Sequence, residues 1–152
     1  MQAGFVNSFI KAVDEIFPAV TGRSLERGKP YVKENPFAAD TVAVVVGVTG
    51  DVKGQVVYSF KNGCALGVAS AMCGTELSDL DELATSAVAE LCNMISGRAS
   101  MNLDEMAGKK AVISPPAVLV GESMKVFVKP PILCVPFGSA ECGGFELNCA
   151  LF

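Results

Sequence analysis

Leu83-Ala84-Thr85-Ser86-Ala87-Val88-Ala89-Glu90-Leu91-Cys92-Asn93-Met94-Ile95-Ser96-Gly97-Arg98-Ala99 is the centre of a long amphipathic stretch running from Asp79 to Met106. At about 100° per residue, Ser86, Glu90, Asn93 and Gly97 fall within an arc of roughly 60°, and Ala84, Val88, Leu91 and Ile95 fall on the opposite side. Ala, Leu, Met and Glu, all strong helix formers, dominate the composition. The spacing therefore predicts a helix with one face on a core and a polar row on the other. A Glu and an Asn on the wet face of a helix are ordinarily just a solvated face. Asn93 and Gly97 are poor helix formers, however, and Gly costs about 1 kcal/mol against Ala in a helix interior. A glycine beside a polar pair lets another backbone come close, so the same row also reads as a docking surface.

Outward from this helix, the chain alternates helical and strand-like segments. Val6, Ile10, Val13 and Phe17 predict a first helix from about Gln2 to Phe17, ended or kinked by Pro18 and left through Gly22. Arg23 to Pro36 is polar and proline-limited, with room for one edge strand near Tyr31 to Lys33. Thr41 to Val48 and Gln55 to Phe60 are rich in β-branched residues across a turn containing Gly50, Asp51 and Gly54, which predicts a β-hairpin. Its first strand is apolar on both faces and should be central. Asn62 is a candidate cap for a short helix, Gly63 to Cys73, closed by Gly74. Ser78 with Asp81 resembles a capping box for the long helix, and Gly108 should close that helix. Strands are then expected at Ala111 to Ile113, Ala117 to Val120, Met124 to Val128, Ile132 to Phe137 and Phe145 to Leu151. Helix-then-strands thus occurs twice, so the fold class is α+β, with two pseudo-repeated halves in one domain over residues 1–152.

Ser86-x3-Glu90-x2-Asn93, continued by Met94-x2-Gly97, resembles the signature of the CheC/CheX family, phosphatases that act on the phosphorylated chemotaxis response regulator. Val46-Gly47-Val48-Thr49-Gly50 through Gly54-Gln55-Val56-Val57-Tyr58-Ser59-Phe60, then Leu80-Asp81-Glu82-Leu83-Ala84, then Ile113-Ser114-Pro115-Pro116, are similar to the CheX branch in the same order. The first helix has Ser8 and Glu15 but no Glu-x2-Asn, and this single copy of the row also argues for that branch. The resemblance implies a mostly antiparallel sheet packed with helices, and catalysis by Glu90 and Asn93. Asn93 would orient the attacking water, and Glu90 would pair with a lysine of the partner near the phosphate. Ser86 and Gly97 would be supporting or partner-binding positions, a plain helix-packing role for Gly97 being equally open. The partner implied is a phosphorylated CheY-type receiver that brings its own Mg²⁺, so no cofactor or metal is expected on this chain. The same helix could instead serve a non-catalytic module that docks a receiver or a flagellar-switch-like complex.

Composition limits the other function classes. Net charge is −4, with no stripe of basic residues to track phosphates, so neither nucleic acid nor a polybasic membrane contact is expected. The apolar run near Val42 to Val48 is far short of the roughly 20 residues of a membrane-spanning helix. Met1 to Ile10 lacks the layout of a secretory signal, and a cytoplasmic location is expected. There is no histidine, which excludes Ser-His-Asp and Cys-His nucleophile systems and histidine metal sites. Six cysteines (Cys64, Cys73, Cys92, Cys134, Cys142, Cys149) show no C-x-x-C spacing and are expected as reduced core thiols. Met94, Met101, Met106 and Phe145 are expected to pack, and Asp81, Glu82, Asp104 and Glu105 to be solvated helix charges. A mean hydropathy of +0.43 is high for a chain without a membrane segment. It suggests apolar surface covered by a second subunit, and the family resemblance likewise implies a homodimer formed through strands.

Overall fold

The computed structural model describes residues 3–139 and 143–152. In chain order the elements are α1 (Ala3–Thr21), β1 (Glu26–Arg27), β2 (Tyr31–Lys33), β3 (Phe37–Ala38), β4 (Val42–Gly50), β5 (Gly54–Phe60), α2 (Asn62–Cys73), α3 (Glu82–Ala107), β6 (Ala111–Ile113), β7 (Ala117–Val120), β8 (Lys125–Val126), β9 (Ile132–Ser139) and β10 (Gly143–Leu151). Eight strands form one sheet ordered β1-β9-β10-β5-β4-β6, with β2 also pairing β9 and β7 also pairing β4. Every pairing is antiparallel.

The alternation of side chains along each strand sends Val42, Val44, Val46 and Val48 of β4, and Val56, Tyr58 and Phe60 of β5, into the main core beneath the helices. Ala43, Val57 and Ala150 point the other way, into a smaller cluster with Phe37, Val128 and Ile132. The β3–β8 ribbon supplies Phe37 and the partly buried Val126 to that cluster. Both faces of β4 are therefore covered, as its continuous apolar composition requires. On the helical side Phe145 stacks against Phe17, Phe60 and Phe137, with centroids 5.8, 4.8 and 5.2 Å away. Burying a side chain of this size is worth about 1.5–3 kcal/mol, and the stack ties α1 to three central strands.

Several boundaries differ from the sequence expectation. α1 runs through Pro18 to Thr21. Pro18 sits on an exposed face, where water can take the carbonyl that the missing N–H leaves free. Gly22, at φ +70°, makes the exit, its N–H reaching the Pro18 carbonyl at 2.8 Å. The expected start at Gln2 and the cysteine at position 142 lie outside the described residues. Asn62 is the first residue of α2 and not its cap, a position held by Lys61 without a side-chain bond. β8 is shorter than the expected Met124 to Val128 and joins β3 instead of the main sheet. β1 was not expected, and it shares the outer edge of β9 with β2. Cys64, Cys92, Cys134 and Cys149 are buried, and Cys73 is half-buried.

The Tyr58 hydroxyl on β5 meets the Ser96 hydroxyl on α3 at 2.7 Å, both fully buried. This is the polar link between the centre of the sheet and the long helix. Removing one partner leaves the other without a hydrogen bond in a dry site, which costs about 1–3 kcal/mol. Tyr58→Phe and Ser96→Ala should each lower the urea-unfolding free energy by about that amount, and the double variant by clearly less than the sum. Additive losses would show that the pair is not coupled.

Candidate functional site

α3 is fastened at both ends by its own sequence. The Asp81 carboxylate caps the first turn, accepting from the Ala84 amide at 2.9 Å. Asp81 is thus the cap itself and not the far end of a box begun at Ser78, because its short carboxylate suits the free amide two to three residues on. At the other end Gly108 adopts φ +62°, and its N–H reaches the Asp104 carbonyl at 2.9 Å. Asp104 also meets Lys110, so two of the four carboxylates expected to be free in solvent have partners. Val88, Leu91, Cys92, Ile95, Ala99 and Leu103 are fully buried.

Because that face is committed to the core, the opposite face must look outward. Ser86, Glu90 and Asn93 are all exposed. They lie three and four residues apart, so neighbouring side chains stand about 5–6 Å apart on one strip. Gly97, one turn further on, is half-buried, yet a Cβ built there would meet nothing within 4 Å. Packing among the described residues therefore does not require a glycine there. The strip is convex. Two clefts of about 510 and 550 Å³ lie elsewhere, one lined by Lys61, Pro136 and Glu146 among others, the other by Arg23, Gly67 and Leu77. A convex row of carboxylate and amide cannot enclose a small substrate, but it can enter a concave site on another macromolecule.

Three methionines depart from expectation. Phe145 is buried as expected, but Met94, Met101 and Met106 are 38, 53 and 51% exposed, and Leu83 is 55% exposed. The apolar side of α3 is already filled by smaller and branched residues, so these longer side chains are left in solvent.

α3 is also keyed to α1 by a polar cluster that periodicity alone did not single out. Arg98 Nη2 donates to Glu15 Oε2 at 2.7 Å. Asn102 Nδ2 donates to Glu15 Oε1 at 3.2 Å and to the Ser8 carbonyl at 3.1 Å. Ser8 is buried, with its hydroxyl donating to the Phe5 carbonyl at 2.5 Å. The Ser8 and Glu15 of the first helix are thus spent on packing against α3. The signal that could have found this cluster is Asn102 itself. It falls at the spacing of Leu91, Ile95 and Ala99, inside the apolar stripe, where an amide must find buried partners. Partial burial pushes the Glu15 carboxyl upward, but its hydrogen bonds from Arg98 and Asn102 outweigh that and hold it below the ordinary glutamate value.

Lowered in the folded state, Glu15 contributes stability that is present above the ordinary glutamate value of 4.5 and is lost as pH falls through the lower folded value. In thermal melts across acid pH, the advantage of the wild type over Glu15→Gln should be constant near neutrality and vanish at the acid end. An advantage unchanged down to the lowest pH would show that the charge of Glu15 is not what matters.

An antiparallel sheet backed by helices is the α+β architecture of the CheC-like superfamily. The fold superposes on a CheC-like superfamily protein from Shewanella sp. PV-4 with a TM-score of 0.90, at 25% identity over 100% of this chain and 99% of that one. The chain belongs to the chemotaxis phosphatase CheX family, whose sequence model matches residues 42–138. The CheY-P phosphatase CheX of Thermotoga maritima is 37% identical over 149 residues, 97% of this chain and 96% of that protein. A chain of the CheX-CheY-BeF3-Mg²⁺ complex from Borrelia burgdorferi matches with a TM-score of 0.84 and 28% identity over 99% of both chains. No described helix is long and apolar enough to cross a membrane.

Proposed function

We propose that this protein hydrolyses the aspartyl phosphate of a phosphorylated CheY-type receiver, presenting Glu90 and Asn93 on α3 to the phosphorylated site. The observation that carries the reading is the exposure of both side chains, one turn apart, on a helix capped at each end. The Thermotoga relative's CheY-P phosphatase activity and the Borrelia complex with CheY support the substrate class.

Phosphoryl transfer is mostly positioning plus electrostatics. An acyl phosphate on a receiver that brings its own Mg²⁺ has most of its charge already compensated, and what hydrolysis lacks is a water held in line with the leaving oxygen. The Asn93 amide offers an acceptor and donors, so it can fix a water's proton and lone pair in direction, though it does not abstract the proton. Glu90 pairs with a cation beside the phosphate and sets the depth to which α3 enters. A misplacement of about 1 Å can cost on the order of 10²-fold in rate, so anchoring matters as much as the amide. Ser86 supports the contact one turn earlier, and Gly97 allows close approach one turn later. The chain itself needs no bound cofactor for this chemistry.

The test follows inorganic phosphate released from a phosphorylated receiver with and without the protein. Asn93→Ala should lose on the order of 10²-fold or more of the stimulated rate while keeping much of the binding, and Glu90→Ala should weaken capture of the phosphorylated receiver. Full stimulation by Asn93→Ala would remove the water-positioning role. Tight binding by the wild type without phosphate release would make this a docking module.

The reading includes a cytoplasmic homodimer of single-domain subunits. Val112 on β6 and Leu119 and Val120 on β7 are 66, 50 and 49% exposed at one edge of the sheet. Light scattering at micromolar concentration should give twice the chain mass of 15.8 kDa, and a monomer mass would contradict the dimer.

A further inference from the structure

Leu83, Met94 and Met101 fall within about 20° of one another around α3, with Glu90 and Gly97 following about 20° and 40° to one side. Met94 and Met101 are two turns apart, about 10 Å along the axis, and Gly97 lies between them. The result is a notch: a position without a side chain, flanked by two flexible apolar ones that stand in solvent. Among the described residues, nothing beyond the helix's own nearby backbone lies within 4 Å of the place a Gly97 Cβ would occupy, so the helix-propensity cost of glycine has no packing return there. Exposed apolar side chains beside such a gap are also unfavourable for an isolated molecule. Another surface filling the gap gives both features a use.

We infer that Met94, Gly97 and Met101 form the affinity-setting contact for the receiver, beside the reacting pair and separate from it, with a projecting apolar element of the receiver seated in the notch; this rests on the receiver reading above. Charge argues against a second copy of this chain as the occupant. From Glu82 to Ala107 the helix carries Glu82, Glu90, Asp104 and Glu105 and a single cation, Arg98, which is bound to Glu15 of α1. Two such faces brought together would set carboxylates against carboxylates. The complementary partner offers an apolar projection with a cation alongside for Glu90. Methionine suits this role, because its flexible and polarisable chain adapts to a partner's contour.

The experiment measures stimulated phosphate release as a function of phosphorylated-receiver concentration, together with melting temperature and solution mass. Gly97→Ala should melt about 2–4 °C higher and yet show a KM at least fivefold higher. Met94→Gln/Met101→Gln should raise KM at least tenfold, with the saturating rate within twofold of wild type and the solution mass unchanged. A KM unchanged in both variants, with the wild type active, would overturn the notch while leaving the phosphatase reading intact. A change of solution mass in the double variant would make the surface a self-contact and overturn it as well. Failure of the wild type to capture the phosphorylated receiver at all would overturn the receiver as occupant, and capture without phosphate release would overturn the phosphatase reading alone.

Discussion

The burial of Leu91, Ile95 and Leu103 of α3 over the valine rows of β4 and β5 is the contact on which the site depends. A helix laid on a sheet can commit only part of its circumference, and these residues fix which part. Once they are inside, Ser86, Glu90 and Asn93 have no route but outward. Rotation about the helix axis would bury a carboxylate and an amide without partners, at a cost of several kcal/mol. The orientation of the polar row is therefore a consequence of core packing. The Tyr58–Ser96 hydroxyl pair and the Glu15–Arg98–Asn102 cluster add directional bonds on the other sides of the same helix.

In the proposed reading, rigidity is what lets such sparse chemistry suffice. The proposed roles are a water held by one amide and a cation met by one carboxylate. Their contribution depends on being held in place, on a continuous helix capped by Asp81 and Gly108. A site on a regular element is more precise than one on a loop. Its convex shape suits a substrate whose own pocket brings the ion and most of the charge.

Much of this is legible in the sequence itself. The row of Ser86, Glu90, Asn93 and Gly97, the hairpin of β4 and β5 and the closing glycines follow from periodicity, β-branched composition and backbone freedom at positive φ. What escaped reading was set by tertiary context. Pro18 predicts an end or a kink in α1, but on a solvent face water can take the carbonyl it leaves free, and the helix continues to Thr21. Met94, Met101 and Met106 are expected to pack because methionine usually does, yet the core side of α3 is filled by other residues and they stand exposed. Asp81 was read as the distant partner in a capping box and is the cap itself. The role of Glu15 could not be seen from its own helix, since its partners lie more than eighty residues away and only Asn102, an amide inside an apolar stripe, betrayed the contact.

The account stands or falls on whether the Asn93 amide meets the phosphoryl site of a receiver. Nuclear magnetic resonance of the ¹⁵N side-chain amides, with a CheY-type receiver added with and without beryllofluoride and Mg²⁺, observes that group directly. The buried amides of Asn102 and Asn148 serve as internal references. The account predicts a large shift and slowed solvent exchange at Asn93 with the beryllofluoride-loaded receiver, a much smaller effect with the unloaded one, and silence at the two buried amides. Binding of the loaded receiver with the Asn93 resonance unmoved would contradict it.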